Sequence, residues 1–132
     1  MNNGTVGEQV AEAWFRRNGW VMERHQPPTR VVYVRGRPTV IHEKSDGVAD
    51  YTGYDYYPCG CGDVYPVYRA CEVKEATGLS MPASRLTKEQ RAWMASRPLG
   101  TAFVAVVWMD GNPACEVFPF VGKGSYKRAS MS

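Results

Sequence analysis

Residues 102–109 read AFVAVVWM, and every one of them is apolar. The run is far too short to span a bilayer, which needs about 20 residues. It is rich in β-branched and aromatic side chains, so it reads as a strand. A strand facing water on one side alternates apolar with polar residues, and this one does not. Both of its faces must therefore be covered. That requirement selects a layered α/β arrangement, with a central strand and helices on each side.

The rest of the chain supplies those layers. Thr5 to Asn18 has helical spacing, with Val6, Val10 and Trp14 on one stripe widened by Ala13. Thr5 and Glu8 stand three apart and form a T-x-x-E capping box, and Gly19 is a natural stop. WVMERH follows as a strand closed by Pro27 and Pro28. Two β-branched runs, Val31–Val34 and Thr39–Ile41, flank a turn at Arg35-Gly36-Arg37-Pro38 and predict a hairpin whose arginines are exposed. GVADYTGYDYY is a strand that becomes a loop, PCGCGD is turn-rich, and VYPVYRACEVKEA is the next strand. Gly78 to Ser84 reads as a loop. Ser84 or Thr87 caps a helix reaching about Ser96, with Trp93 and Met94 as its apolar contacts. After the apolar strand, DGN is a turn and ACEVFPF a return strand. The order α-β-(ββ)-β-β-α-β-β predicts an α/β sandwich with a mixed central sheet flanked by helices.

A length of 132 residues suits one domain, expected over 1–121, with the hairpin at about 30–43 and a basic, mobile tail over 122–132. The net charge of +3 permits a polyanionic partner without requiring one. Arginines crowd the first third (Arg16, Arg17, Arg24, Arg30, Arg35, Arg37), while acids gather between Glu43 and Glu75. No secretion signal and no membrane span is visible, so a cytoplasmic location is the default expectation.

The chemistry concentrates in CEVKE, residues 71–75. Side chains two apart on a strand share a face, so Glu72 and Lys74 project together while Val73 points into the core. Asp50 lies on the preceding strand, and adjacent strands can bring it beside Glu72. Two such carboxylates repel unless a divalent cation bridges them, and hard oxygens suit Mg²⁺ or Mn²⁺. Lys74 can then hold a water or steady the charge on a phosphate. The competing reading is an exposed cross-strand ion pair of little energetic weight.

The acid, the Glu-x-Lys strand and the following helix match the pattern of PD-(D/E)xK nucleases. EVKEATGLSMPASRLTKEQRAWM resembles the corresponding segment of the RecU-like Holliday junction resolvases, with Gln90 kept and the family's neighbouring His replaced by Glu89. QPPTRVVYVRGRPTVIHEKSDGVADYTGY is similar to that family's Pro-rich entry, hairpin stalk and Asp-Tyr-x-Gly strand, and Asp50-Tyr51-Thr52-Gly53 fits the last motif. The likeness covers roughly residues 4–118. It implies a restriction-endonuclease-like core with a short β-hairpin stalk. It also implies a Mg²⁺-dependent endodeoxyribonuclease that resolves four-way junctions as a homodimer in a bacterial or phage-infected cell. Asp50 and Glu72 would chelate the metal together with the Val73 carbonyl, and Lys74 would be the catalytic lysine. Glu8 would bind metal directly or through water, in competition with its capping role. Gln90 would orient Lys74 or a water, or simply sit on the helix surface. Arg30, Arg35, Arg37, Arg85 and Lys88 would contact DNA. The segment YDYYPCGCGDVYPVYRA is longer than the family's compact turn, the hairpin is short, and much of the family's N-terminal extension has no counterpart.

Three smaller features stay open. Cys59 and Cys61 form a C-x-C pair that is either half of a zinc site or two reduced thiols, with Cys71 and Cys115 as small core residues. His25 and His42 carry no motif. Tyr51, Tyr54, Tyr56 and Tyr57 either stack on unpaired bases or pack within the sheet. Two alternatives stand beside a junction resolvase. One is a nuclease of the same fold acting on duplex, flap or other branched DNA. The other is a non-catalytic module, nucleic-acid-binding or zinc-stabilised.

Overall fold

The computed structural model describes residues 4–25, 29–42 and 47–129. The apolar run becomes strand β7 only after nine other elements are laid down. In chain order these are helix α1 (Val6–Arg17), then β1 (Val21–Arg24), β2 (Thr29–Val34) and β3 (Arg37–His42), then β4 (Tyr51–Pro58), β5 (Val64–Ala76) and β6 (Ser80–Pro82). A 3-10 turn at Ala83–Arg85 leads into helix α2 (Lys88–Ala95), followed by β7 (Ala102–Trp108), β8 (Ala114–Pro119) and β9 (Ser125–Lys127). The central sheet has five strands in the order β1-β4-β5-β7-β8. Only β5 and β7 run parallel, and every other neighbour in it is antiparallel. The architecture is thus α/β with a mixed central sheet and a helix against each face.

Strand β7 shows why two layers are needed. Val104, Val106 and Trp108 point to one face and join Met81, Ala83, Leu86, Met94 and Tyr126. Ala105 and Val107 point to the other and join Ala11, Phe15, Tyr51, Cys71 and Val73. The β5–β7 crossover carries β6 and α2 over the first face, and α1 covers the second.

Helix α1 begins with the expected capping box but buries a different stripe. Gly7, Ala11 and Phe15 face the sheet, whereas Val6 is exposed and Val10 and Trp14 are half-buried. Hydropathy favours the valines, but close approach favours small residues. Phe15 then stacks on Trp20 at 5.9 Å and meets the Tyr51 ring edge-on at 5.2 Å.

The hairpin is β2 paired with β3, from Thr29↔His42 to Val34↔Arg37. Its loop is shorter than expected, only Arg35 and Gly36, and Arg37 and Pro38 belong to the strand. Both loop residues have positive φ, 52° and 77°, as a two-residue turn of matching twist requires. The two strands form a sheet of their own, and Tyr33 is 75% exposed. Pro27, Pro28 and the hairpin's far boundary at Glu43 lie outside the described residues. Strand β4 also differs from expectation. It does not dissolve into a loop but runs paired with β5 as far as Pro58↔Val64.

The expected mobile tail is corrected over its described part. β9 pairs with β6, and Tyr126 is 2% exposed. The Tyr126 hydroxyl donates to the Val121 carbonyl at 3.1 Å and accepts from the Val121 amide at 3.0 Å. Arg128 pairs with Asp110 at 2.9 Å, donates to the Gly78 carbonyl at 3.2 Å, and lies over the Trp108 ring. One aromatic side chain among polar neighbours is enough to anchor the strand. Tyr126→Ala is expected to lower the unfolding free energy by about 3 kcal/mol, the usual cost of emptying an aromatic core position. Urea unfolding followed by tryptophan fluorescence checks this, and an unchanged midpoint contradicts the burial.

Candidate active site

The β4–β5 ladder ends at Tyr51↔Cys71, and the site lies one residue beyond it. Asp50 stands just before β4, where a longer strand would have continued. Its Oδ2 takes the place of a ladder carbonyl and accepts the Val73 amide at 3.0 Å. Within a strand a residue's N–H and C=O point the same way, so the Val73 carbonyl faces the same gap.

Glu72 is 1% exposed, and its Oε2 has no hydrogen-bond partner among the described residues. Alternation places it on the face of Ala70, Val104 and Leu86 rather than the face of α1. Burial pushes its carboxyl well above the ordinary range, and the hydrogen bond with Asp50 and that residue's charge push it further. Lys74 pulls the other way, and Glu8 adds a smaller rise. Lys74 is half-buried and shares the Glu72 face. A buried carboxyl with an unsatisfied oxygen, beside a second carboxylate, is costly without a cation. The donor set is all oxygen, from Asp50, Glu72 and the Val73 carbonyl. It fits a hard divalent ion such as Mg²⁺, with waters completing the shell.

Glu8 does not join this pair as a direct ligand. Its Oε1 accepts the Thr5 amide at 3.1 Å while Thr5 Oγ1 accepts the Glu8 amide at 3.2 Å, and its Oε2 lies 3.5 Å from the Arg24 guanidinium. Among the described residues no three His, Cys, Asp or Glu side chains converge as a metal site. The capping use wins because both carboxylate oxygens are already engaged. Gln90 is likewise drawn into a helix cap. Its Oε1 accepts the Thr87 backbone amide at 2.9 Å, and its backbone amide donates to Thr87 Oγ1 at 3.1 Å, closing the capping box of α2. That helix still bears on the site through Gly47. At φ 77° it lies so close to the Glu89–Gln90 backbone that a Cβ would collide with the Glu89 carbonyl. The contact sets the path of the chain into Ala49 and Asp50.

Two further residues organise the site. Glu75, on the opposite face of β5 from Glu72, reaches across to α1. Its Oε2 accepts the Gly7 amide at 2.8 Å, one of the helix's unsatisfied N-terminal donors. A Cβ at Gly7 would stand 2.5 Å from Glu75 Cγ, so only glycine admits this approach. His25, which had no motif, donates its amide to the Asp50 carbonyl at 2.7 Å and places its ring against the Thr52 hydroxyl. The E-x-K-E spacing hinted at Glu75 by putting it on the α1 face. Nothing local in the sequence marks His25.

The basic residues are placed as follows. Arg35, Arg37, Arg85 and Lys88 are exposed, and Arg85 donates to the Glu75 carbonyl at 3.0 Å. Backbone pairing sets Arg30 opposite Ile41, and its side chain lies outside what the structure describes. Cys59 and Cys61 are joined to each other in a disulfide, which corrects both open readings: neither sulfur is a free thiolate ligand and neither is a reduced thiol. Cys71 is buried and Cys115 half-buried, as small core residues. No described helix is long and apolar enough to cross a membrane. Comparison with known proteins finds no family model that matches the chain, and no curated protein or solved structure similar to it.

Two outcomes follow from this geometry. The folded state keeps Glu72 protonated where the unfolded chain ionises it, so metal-free stability is greatest below pH 4.5, its ordinary value, and falls as pH rises toward the folded value. Glu72→Gln should therefore stabilise the protein at pH 8 in EDTA by roughly 1–3 kcal/mol and flatten the decline between pH 5 and pH 8. Urea titrations at those two values test it, and equal slopes for both proteins would refute it. Glu75→Ala should lose about 1 kcal/mol through the uncapped Gly7 amide, with Glu75→Gln recovering most of it. Equal losses in both variants would show that the hydrogen bond is not the cause.

Proposed function

We propose that this chain is a Mg²⁺-dependent, structure-selective DNA endonuclease of the PD-(D/E)xK type, with a restriction-endonuclease-like core. Its expected substrate is the four-way junction cut by the RecU-like resolvases it resembles. One observation carries the reading above all: Asp50 and the buried Glu72, with its unsatisfied oxygen, are set side by side next to Lys74. A structural ion pair has no need of a carboxyl held nearly out of water and left incompletely bonded.

A divalent ion held by Asp50, Glu72 and the Val73 carbonyl supplies Lewis acidity and an activated water. The chain does the rest. Asp50 is braced by the Val73 amide and, through its own carbonyl, by His25. Lys74 places a positive charge on the same face, where it meets a phosphate oxygen as charge builds on it. Hydrolysis by in-line attack leaves a 5′-phosphate and a 3′-hydroxyl. Exposed Arg35 and Arg37 at the hairpin tip, with Arg85 and Lys88 near α2, are the backbone-contacting cations. A junction offers two symmetry-related cut sites, so a two-fold homodimer matches it. The expected setting is the cytoplasm of a bacterial or phage-infected cell.

With Mg²⁺ and end-labelled DNA, the protein should cut a four-way junction at symmetric positions. Asp50→Asn and Lys74→Ala should each be slower by about a hundredfold or more, with unchanged circular dichroism. Preferential cutting of flaps or linear duplex would reassign the substrate within the same chemistry. Binding without any cutting under Mg²⁺ or Mn²⁺ would remove the enzymatic reading.

A further inference from the structure

The two longest strands of the central sheet run on past it. β1 pairs with β4 only as far as Tyr54, and β7 meets β5 only from Ala70 onward. Residues 55–58 and 64–69 therefore form a two-stranded ribbon with no further strand on either edge among the described residues, and the Cys59–Cys61 disulfide closes its tip.

The register sorts the side chains of this ribbon. Tyr54↔Tyr68, Tyr56↔Pro66 and Pro58↔Val64 share one face. By alternation along both strands it is the face of Asp50, Glu72 and Lys74. Tyr54 and Tyr56 are each 45% exposed and Val64 63% exposed. A ribbon face open to water ordinarily carries polar residues, and here it presents aromatic rings instead. The Tyr54 and Tyr68 rings meet edge-on at 6.1 Å, so the half-buried Tyr68, packed against the core, backs the exposed Tyr54 ring.

Charge narrows what can bind. Between residues 54 and 69 the only cation is Arg69, against two acids, Asp55 and Asp63. Arg69 points to the opposite face, is buried among Trp20, Phe103 and Tyr57, and lies 3.7 Å from Asp55. The ribbon therefore has no exposed cation for backbone phosphates. Its available chemistry is stacking, which any nucleobase satisfies when unpaired. Tyr54 and Tyr56 lie four and six strand residues from Asp50, about 13 and 20 Å along β4.

We propose that the Tyr54–Tyr56–Tyr68 face receives unpaired bases of the same strand whose phosphate is cut at Asp50 and Glu72. The inference rests on the nuclease reading and deepens it. The substrate class becomes DNA with unpaired nucleotides flanking the scissile phosphate, recognised by ring stacking rather than by charge.

The test is binding in Ca²⁺, which separates recognition from cutting. The probes are a blunt duplex and the same duplex with an unpaired tail of about five nucleotides carrying 2-aminopurine. Wild-type protein should quench the 2-aminopurine fluorescence. Tyr54→Ala/Tyr56→Ala should weaken tailed-duplex binding by about tenfold or more and leave blunt-duplex binding unchanged. The salt dependence should keep its slope, because no phosphate contact is lost. Tyr56→Leu, which retains apolar bulk without a stacking ring, should weaken binding in the same direction. Tyr65→Ala on the opposite face should have no effect. Absent quenching, equal weakening on both DNAs, or a fall in oligomeric mass in the tyrosine variants would overturn the proposal, the last by assigning the face to a protein contact. Lost quenching with cleavage intact condemns this inference alone, and quenching without cleavage condemns the nuclease reading alone.

Discussion

The structure turns on a carboxyl kept almost entirely out of water. Glu72 sits in the most covered strand pair of the sheet, and its nearest polar neighbour, Asp50, also carries a carboxyl. An arrangement like this persists only where packing overrides electrostatic preference. β5 is clamped between the β4 and β7 ladders, α1 presses on one side, and the β6–α2 segment presses on the other. Each layer meets a chemical need. The end of β4 makes room for Asp50, the β5–β7 pairing buries Glu72, and the free edge of β5 offers the Val73 carbonyl and the side chain of Lys74.

Two side chains weighed for the site are taken up by helix caps instead. Glu8 and Gln90 are both third residues of their helices, and both fold back on a threonine N-cap. A carboxylate or amide satisfied in this way is held still, and it does not swing toward a neighbouring centre. Glu75 shows the reverse. It belongs to the strand of the site, yet it supplies a hydrogen bond to the first turn of α1. The helix is thereby tied to the same strand that carries Glu72 and Lys74. The Glu8 charge adds a smaller electrostatic rise to the Glu72 carboxyl.

Much of this was legible in the chain, and what escaped did so for definite reasons. The unbroken apolar run at 102–109 predicted a doubly covered strand because no other structure tolerates such a run in so few residues. Both capping boxes were visible because they depend on residues three apart. Glu-x-Lys spacing placed two side chains on one face because strand geometry has a period of two. The buried stripe of α1 was misjudged because hydropathy rewards valine, while close packing against a sheet rewards Gly7 and Ala11. Strand β9 was missed because its pairing is non-local and only three residues long. Its anchor, Tyr126, sits among glycines, lysines and a serine that read as tail. His25 was missed because its meaning lies wholly in a contact with residues 25 and 27 positions away.

The hairpin of β2 and β3 leaves the sheet at β1 and returns at β4, and these two strands are direct neighbours paired from Arg24↔Tyr51 onward. The excursion thus begins and ends at almost the same point of the scaffold. Lengthening such a detour adds closure entropy only logarithmically, so extra residues burden the fold by a few tenths of a kcal/mol, roughly speaking. The length of this arm is therefore decoupled from the carboxylate geometry. An arm of this design can be extended, trimmed or recharged by small sequence changes, while Asp50 and Glu72 stay where the ladders hold them.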